Sequence, residues 1–187
     1  YFTPAHPWNR TAIEEEGVLV RDYGLQKKKE IYIHSSFLKK YKDIAKRLIA
    51  DKTVQGEREK SQMMTKLQHL NLLGAGAKLD EVLSLQLSHV LDRRLQSIVC
   101  RKGFARSMKQ ARQHIVHRHV RVGDQEISSP SYLVSLEEEG AVGFKENSSL
   151  ADAEHPERVL LQKGVKPAPQ EEKGKERTDE GLVALQA

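Results

Sequence analysis

Residues 93–121 carry nine Lys or Arg (Arg93, Arg94, Arg101, Lys102, Arg106, Lys109, Arg112, Arg118, Arg121), three His and no acid. Like charges at that density repel, so the window can fold only by gathering its apolar residues on one side. They are sorted in that way. Leu91, Leu95, Ile98 and Val99 recur at i, i+4, i+7 and i+8, which predicts a helix over 90–100, and Arg94 and Arg101 share another of its faces. Gly103 should end it. Ser107 and Gln110 have the spacing of a capping box that opens a second helix, with Met108, Ala111 and Ile115 inward and Lys109, Arg112 and Gln113 pointing elsewhere. Residues 119–122 alternate, Gly123 and Asp124 supply a two-residue turn, and 125–128 return as a hairpin; 131–134 is a candidate third strand. Two short helices feeding a small sheet would bring Arg94, Arg101, Lys109, Arg112 and His119 onto one concave side. An ordered cationic face of this kind is expected to recruit the phosphates of A-form RNA.

Upstream the chain is helical. Pro4 and Pro7 predict an extended arm, with Trp8 docking it. Asn9 is a candidate N-cap for a helix that carries Ile13 and Val20, places Glu14, Glu15 and Glu16 in its first turns, and ends at Gly24. Phe37, Leu38, Tyr41, Ile44, Ala45, Leu48 and Ile49 mark an amphipathic helix over about 35–50, with Lys39, Lys40, Lys42, Lys46 and Arg47 on its other face. After a polar break at 53–56, Met63, Leu67, Leu70 and Leu73 predict a further helix stopped by Gly74 and Gly76. No Gly-Lys-Ser/Thr follows those glycines, so they form a turn and not a nucleotide loop. Asp80 and Ser88 are candidate caps for two short helices. From residue 150 acids, bases and three prolines mix with few aromatics, the composition of a polar tail that is disordered or ordered by a partner.

The whole chain of 187 residues has a net charge of +5, but residues 150–187 hold six bases against eight acids, so the positive charge resides upstream. Mean hydropathy of −0.61 implies small cores completed in part by a partner. No stretch approaches the roughly 18 apolar residues of a membrane span, and no secretory signal opens the chain, so a soluble, cytoplasmic protein is expected. The first residue is Tyr1 and not Met, so the natural start is expected upstream. Cys100 is the only cysteine, which excludes an internal disulfide and any multi-cysteine zinc site within these residues; it reads as a small apolar filler. His114, His117 and His119 lack a nearby carboxylate or thiol to complete a metal shell, so no metal and no cofactor is expected.

The runs DRRLQSIVCRKGFA at 92–105, QARQHIVH at 110–117, VG at 122–123 and SPSY at 129–132 closely resemble the RNA-binding domain of the small-subunit ribosomal protein four family. PAHPW at 4–8, YGL at 23–25 and LDEVLSL at 79–85 are similar to its archaeal and eukaryotic branch, so the resemblance covers about residues 2–144. It implies an α+β architecture: an N-terminal arm and helical domain over 1–90, an RNA-binding domain over 91–144 with two helices on a short antiparallel sheet, and a tail over 145–187. The implied partners are small-subunit ribosomal RNA at a multi-helix junction of its 5′ domain, neighbouring ribosomal proteins including small-subunit protein five, and messenger RNA where it enters the subunit. No membrane and no enzymatic activity are implied. Carried over residue by residue, the resemblance assigns RNA contact to Arg93, Arg94, Ser107, Lys109, Gln110, Arg112, Gln113, His117 and His119, with Gly103 and Gly123 as turn makers. Arg101, Lys102, Arg106 and Arg121 join them on charge. The turn at Gly123 and Asp124, and Glu126 where a base is common, depart from the family pattern and weaken the case for contact by the hairpin tip.

The same small domain is appended to pseudouridine synthases and to some tRNA synthetases, which makes an RNA-modifying enzyme the rival reading. Such an enzyme needs a catalytic block of roughly 100 to 200 residues. About 90 residues of basic helices and a polar tail offer none. A stand-alone assembly or stress factor is the other rival, and it predicts no match in the upstream arm.

Overall fold

In a computed structural model the described residues are 1–51, 53–74, 76–152 and 155. Eight helices and a small sheet follow one another as α1 (Arg10–Asp22), α2 (Lys28–Ala50), α3 (Val54–His69), α4 (Leu79–Ser84), α5 (Leu87–Asp92), α6 (Leu95–Arg101), α7 (Met108–Val116), β1 (Val120–Val122), β2 (Gln125–Glu126), α8 (Leu136–Gly140) and β3 (Val142–Phe144). Helices precede and flank an antiparallel sheet of order β2-β1-β3, an α+β fold.

Two apolar cores divide the chain. The first draws Tyr41, Ala45 and Leu48 of α2, Met63 and Leu67 of α3, and Leu79 and Val82 of α4 into one cluster. The second gathers Leu95, Ile98 and Val99 of α6, Ala111 and Ile115 of α7, Val120 and Val122 of β1, Val134, and Val142 of β3. Each fully buried Leu, Ile or Val contributes about 1.5–3 kcal/mol, so Leu95, Ile98 and Val99 of the predicted stripe close this module, while Leu91, buried on α5, lies outside the cluster. Cys100 and Phe104 pack against the same cluster, and burial pushes the Cys100 thiol pKa up, as suits a small apolar filler.

The elements begin and end where local hydrogen bonds allow. The Asn9 side chain accepts from Thr11 N at the start of α1, as the sequence predicts. α2 starts at Lys28, a turn and more before residue 35, because Ile31 and His34 are buried on its inner face. Thr53 caps α3 by accepting from Gly56 N at 3.1 Å, so the polar break at 53–56 is already the first turn of a helix. That helix stops at Asn71, which adopts φ +52°, before either glycine is reached. Neither Asp80 nor Ser88 sits in a cap position; those are Lys78 and Gln86, whose N–H groups donate to Glu81 Oε1 and His89 Nδ1.

The helix predicted over 90–100 is broken in two. Arg94 is extended (ψ 143°) between α5 and α6, and residues 130–134 cross the break. Leu95 N donates to Tyr132 O at 2.8 Å, Gln96 N to Pro130 O, and Val134 N to Arg93 O. The segment 131–134 is therefore not a third strand; it forms a single bridge with Arg94 at Leu133 and satisfies the free N–H groups that open α6. The third strand is β3, which pairs with β1 from Val120↔Phe144 to Val122↔Val142 after the capped turn α8. Trp8 is 90% exposed, so the expected docking of the arm through it is not seen among the described residues. Of the expected tail, Ser149–Ala151 forms a short 3-10 turn, and residues 156–187 lie outside the described residues.

Candidate nucleic-acid interface

The cations of the module divide into an interior set and a surface set. Arg93 is 5% exposed and Arg94 1% exposed, which makes them interior residues. Arg93 donates through Nη1 to Glu139 Oε2 at 2.6 Å and through Nη2 to the carbonyls of Val134 and Ser135. Arg94 Nη2 donates to Glu30 Oε2 at 2.5 Å and to Ser131 Oγ at 3.1 Å. Arg112, with its side chain 17% exposed, grips the same Glu30 with both guanidinium ends, at 3.2 and 3.0 Å. Burial alone would raise the Glu30 pKa, but hydrogen bonds from Arg112 and then Arg94, with their charges, outweigh it and hold the carboxyl below its ordinary range.

The concave face expected around Arg94, Arg101, Lys109, Arg112 and His119 is corrected accordingly. Arg93, Arg94 and Arg112 are turned to acids inside the fold, because burying an unpaired guanidinium is prohibitive and residues far away in sequence supply the carboxylates. Arg101 pairs with Asp92 at 3.2 Å beside the end of α6. Lys102 Nζ donates to the Glu139 carbonyl. Arg121 pairs with Glu146 at 3.1 Å on β1, and His119, half-buried, meets Ser148 Oγ through Nδ1 at 2.8 Å.

What remains on the surface is a single stripe. Ser107 caps α7 by accepting from Gln110 N, while Gln110 Oε1 accepts from Arg106 N, so the capping pair ties down the start of the helix. From there Lys109, Gln113 and His117, all exposed, follow at the four-residue spacing that lines one helix face, with exposed Arg106 just ahead of the Ser107 cap and exposed Val116 beside them. From Lys109 to His117 the stripe runs about 12 Å along the axis. Arg118 extends it in an unusual way. It stands at φ +60° past the end of α7, where its N–H donates to Ile115 O and that of His119 to His114 O. Arg118 is absent from the residues expected to touch RNA, although the charge that singled out Arg106 and Arg121 marks it equally; the left-handed turn is what sets it apart. Gly103 (φ +75°) and Gly123 (φ +58°) make the turns assigned to them. The hairpin tip is poor in free charge, since Glu126 is engaged by Lys145.

Among the described residues no group of His, Cys, Asp and Glu is placed to hold a metal ion, and no helix is long and apolar enough to cross a membrane. The arrangement is suited to meeting a polyanion. Cations and amides regularly spaced on a short, capped helix can contact successive phosphates, while Gln113 and His117 can donate to sugar or base edges.

Residues 93–139 match the family model described as S4 domain. Small ribosomal subunit protein uS4 of Methanococcus aeolicus is 46% identical over 160 residues, which cover 85% of this chain and 90% of that protein. The uS4 proteins of Nanoarchaeum equitans (43% over 162 residues, 86% and 90%) and Methanococcus vannielii (43% over 160 residues, 85% and 90%) are similar throughout the same extent.

Proposed function

Because this chain belongs to the family of small ribosomal subunit protein uS4, we propose that it binds small-subunit ribosomal RNA as a structural protein of the ribosome, through the exposed stripe of α7. Arg106, Lys109 and Arg118 supply charge to phosphates; Ser107, Gln113 and His117 supply hydrogen bonds. Gln110 holds the first turn in place. Arg93, Arg94 and Arg112 serve the interior of the module, and Arg101, Lys102, His119 and Arg121 stand at its margins with partners of their own. The favoured target is a multi-helix junction of the 5′ domain, bound early in assembly. Small-subunit protein five and messenger RNA entering the subunit are the neighbours this reading expects, in the cytoplasm.

The observation that supports it most directly is that Arg106 and Lys109 make no ion pair among the described residues, beside a helix fixed at both ends, while Arg118 is shared with Glu126 of the hairpin. Deep, narrow A-form major grooves exclude side chains, so specificity would come from the contour of the junction and affinity from phosphates. Each phosphate neutralised adds about −0.7 to −0.9 to the slope of log affinity against log salt. Titrating the junction RNA at several salt concentrations should give a steep slope, and Arg106→Gln with Lys109→Gln should flatten it by about 1.5. Affinity that is flat between low and physiological salt would remove the cationic stripe as the binding face.

A further inference from the structure

Glu30 belongs to the amino-terminal layer, yet both of its principal partners belong to the module, 64 and 82 residues further along the chain. Its carboxylate accepts one N–H from Arg94 and two from Arg112. Two planar guanidiniums on one carboxylate fix distance and angle together, which a single pair does not. They also leave the seam with more positive than negative charge, so neutralisation alone does not account for the arrangement. Two further ties, buried or part-buried, cross the same seam. The Gln96 amide donates to Tyr23 O at 3.3 Å, to Gly24 O at 3.4 Å and to Met108 O at 2.7 Å, and Tyr23 Oη donates to Asp92 Oδ1 at 3.1 Å. Together they hold residues 23–30 against α5, α6 and the first turns of α7. Lys27, Lys28 and Lys29, all exposed, immediately precede Glu30, with Lys28 paired to Glu16 at 3.0 Å and Lys29 lying over the Tyr1 ring. Fixing Glu30 to Arg112 therefore fixes the position of that lysine run relative to α7.

We propose that Glu30 is a positioning residue for RNA binding: by gripping Arg94 and Arg112 it locks the amino-terminal layer to the module, so that the lysines at 27–29 and the α7 stripe meet a branched RNA as one rigid surface. The proposal rests on the RNA-binding reading above. It gives Glu30 an effect opposite in sign to its charge. Removing an acid from a basic protein should strengthen RNA binding by simple attraction, and more so if freed Arg112 then reached a phosphate. Loss of the lock should weaken binding to any RNA that spans both cationic patches, because two rigidly linked contacts gain from each other only while their geometry holds.

The test compares the full chain with its Glu30→Gln and Gln96→Leu variants, binding the small-subunit junction RNA and a single short RNA hairpin able to cover only one patch. Measurements are made at two salt concentrations, below each protein's unfolding temperature. Glu30→Gln should weaken junction binding roughly tenfold or more and leave hairpin binding within about twofold, with no steeper salt dependence. Gln96→Leu, which changes no charge, should shift the ratio of junction to hairpin affinity in the same direction. Junction affinity that is unchanged or tighter in Glu30→Gln, or a steeper salt slope, would overturn the proposal. So would equal losses on both RNAs in Gln96→Leu, which would mean that the seam acts only through overall stability. Failure of the RNA-binding reading would appear elsewhere, as absence of salt-dependent binding of either RNA by the unaltered chain, and it would take this proposal with it.

Discussion

Neighbouring arginines in one cationic run can have unrelated jobs, and burial with partner identity decides which. Arg94 is at 1% exposure with Glu30 and Ser131 as partners, while Lys109, fifteen positions on, stands in solvent on α7. Truncating the first leaves a void and removes one donor from a largely buried carboxylate; truncating the second removes an exposed cation, the phosphate contact proposed above. Arg94→Ala should therefore cost about 3 kcal/mol of unfolding free energy, whereas Lys109→Gln should leave the denaturation midpoint unchanged and weaken RNA binding. Chemical denaturation of both variants, with an RNA titration of the second, checks this. A one-dimensional sequence displays the charge of both residues equally. It does not display Glu30, which lies far up the chain and becomes a neighbour only when α2 packs on the module.

At the scale of elements, what could be read depended on whether the determining contact was local. The Asn9 cap, the stripe of Leu95, Ile98 and Val99, the Ser107 and Gln110 spacing and the turn at Gly123 all involve residues a few positions apart, and each stands where its pattern placed it. The break between α5 and α6 and the identity of the third strand were hidden, because they depend on residues 130–134 supplying carbonyls to α6 from about 35 positions away. Two glycines express the same contrast. Gly103 (φ +75°) ends α6 with open space around it, while Gly24 (φ +57°) sits so near α7 that an added Cβ would come within 2.7 Å of Met108 Cβ. Gly103→Ala should cost about 1 kcal/mol for the left-handed backbone alone. Gly24→Ala carries that strain and a clash at the seam, so its thermal midpoint should fall clearly further, by the equivalent of about 2–3 kcal/mol. Equal shifts for the two would mean that the seam is not closely packed at Gly24.

At the scale of the whole molecule, the same seam makes stability depend on pH. His34, one turn along α2 from Glu30, is buried, and its Nε2 has no hydrogen-bond partner among the described residues. Burial first, and then the nearby positive charge of Arg94, lower its pKa from 6.5 to about 4, with Glu30 opposing. The folded chain thus prefers neutral imidazole, while the unfolded chain takes up a proton below 6.5. Above that pH both states are neutral and the full stability is present. As pH falls from 6.5 towards 4 the unfolded state binds the additional proton and stability declines, by about 1.4 kcal/mol per pH unit at most. Between pH 7 and pH 5 the loss assigned to His34 is about 2 kcal/mol. The Glu30 carboxyl, held low by Arg112 and Arg94, stays ionised over that interval, so the lock persists while its surroundings become less favourable. Comparing denaturant midpoints of the natural chain and a His34→Leu variant at the two pH values isolates this contribution from the other histidines. The natural chain should lose about 2 kcal/mol more than the variant between pH 7 and pH 5; parallel losses would show that His34 is protonated in the fold and that its environment is wetter than the packing of α2 against Arg94 implies.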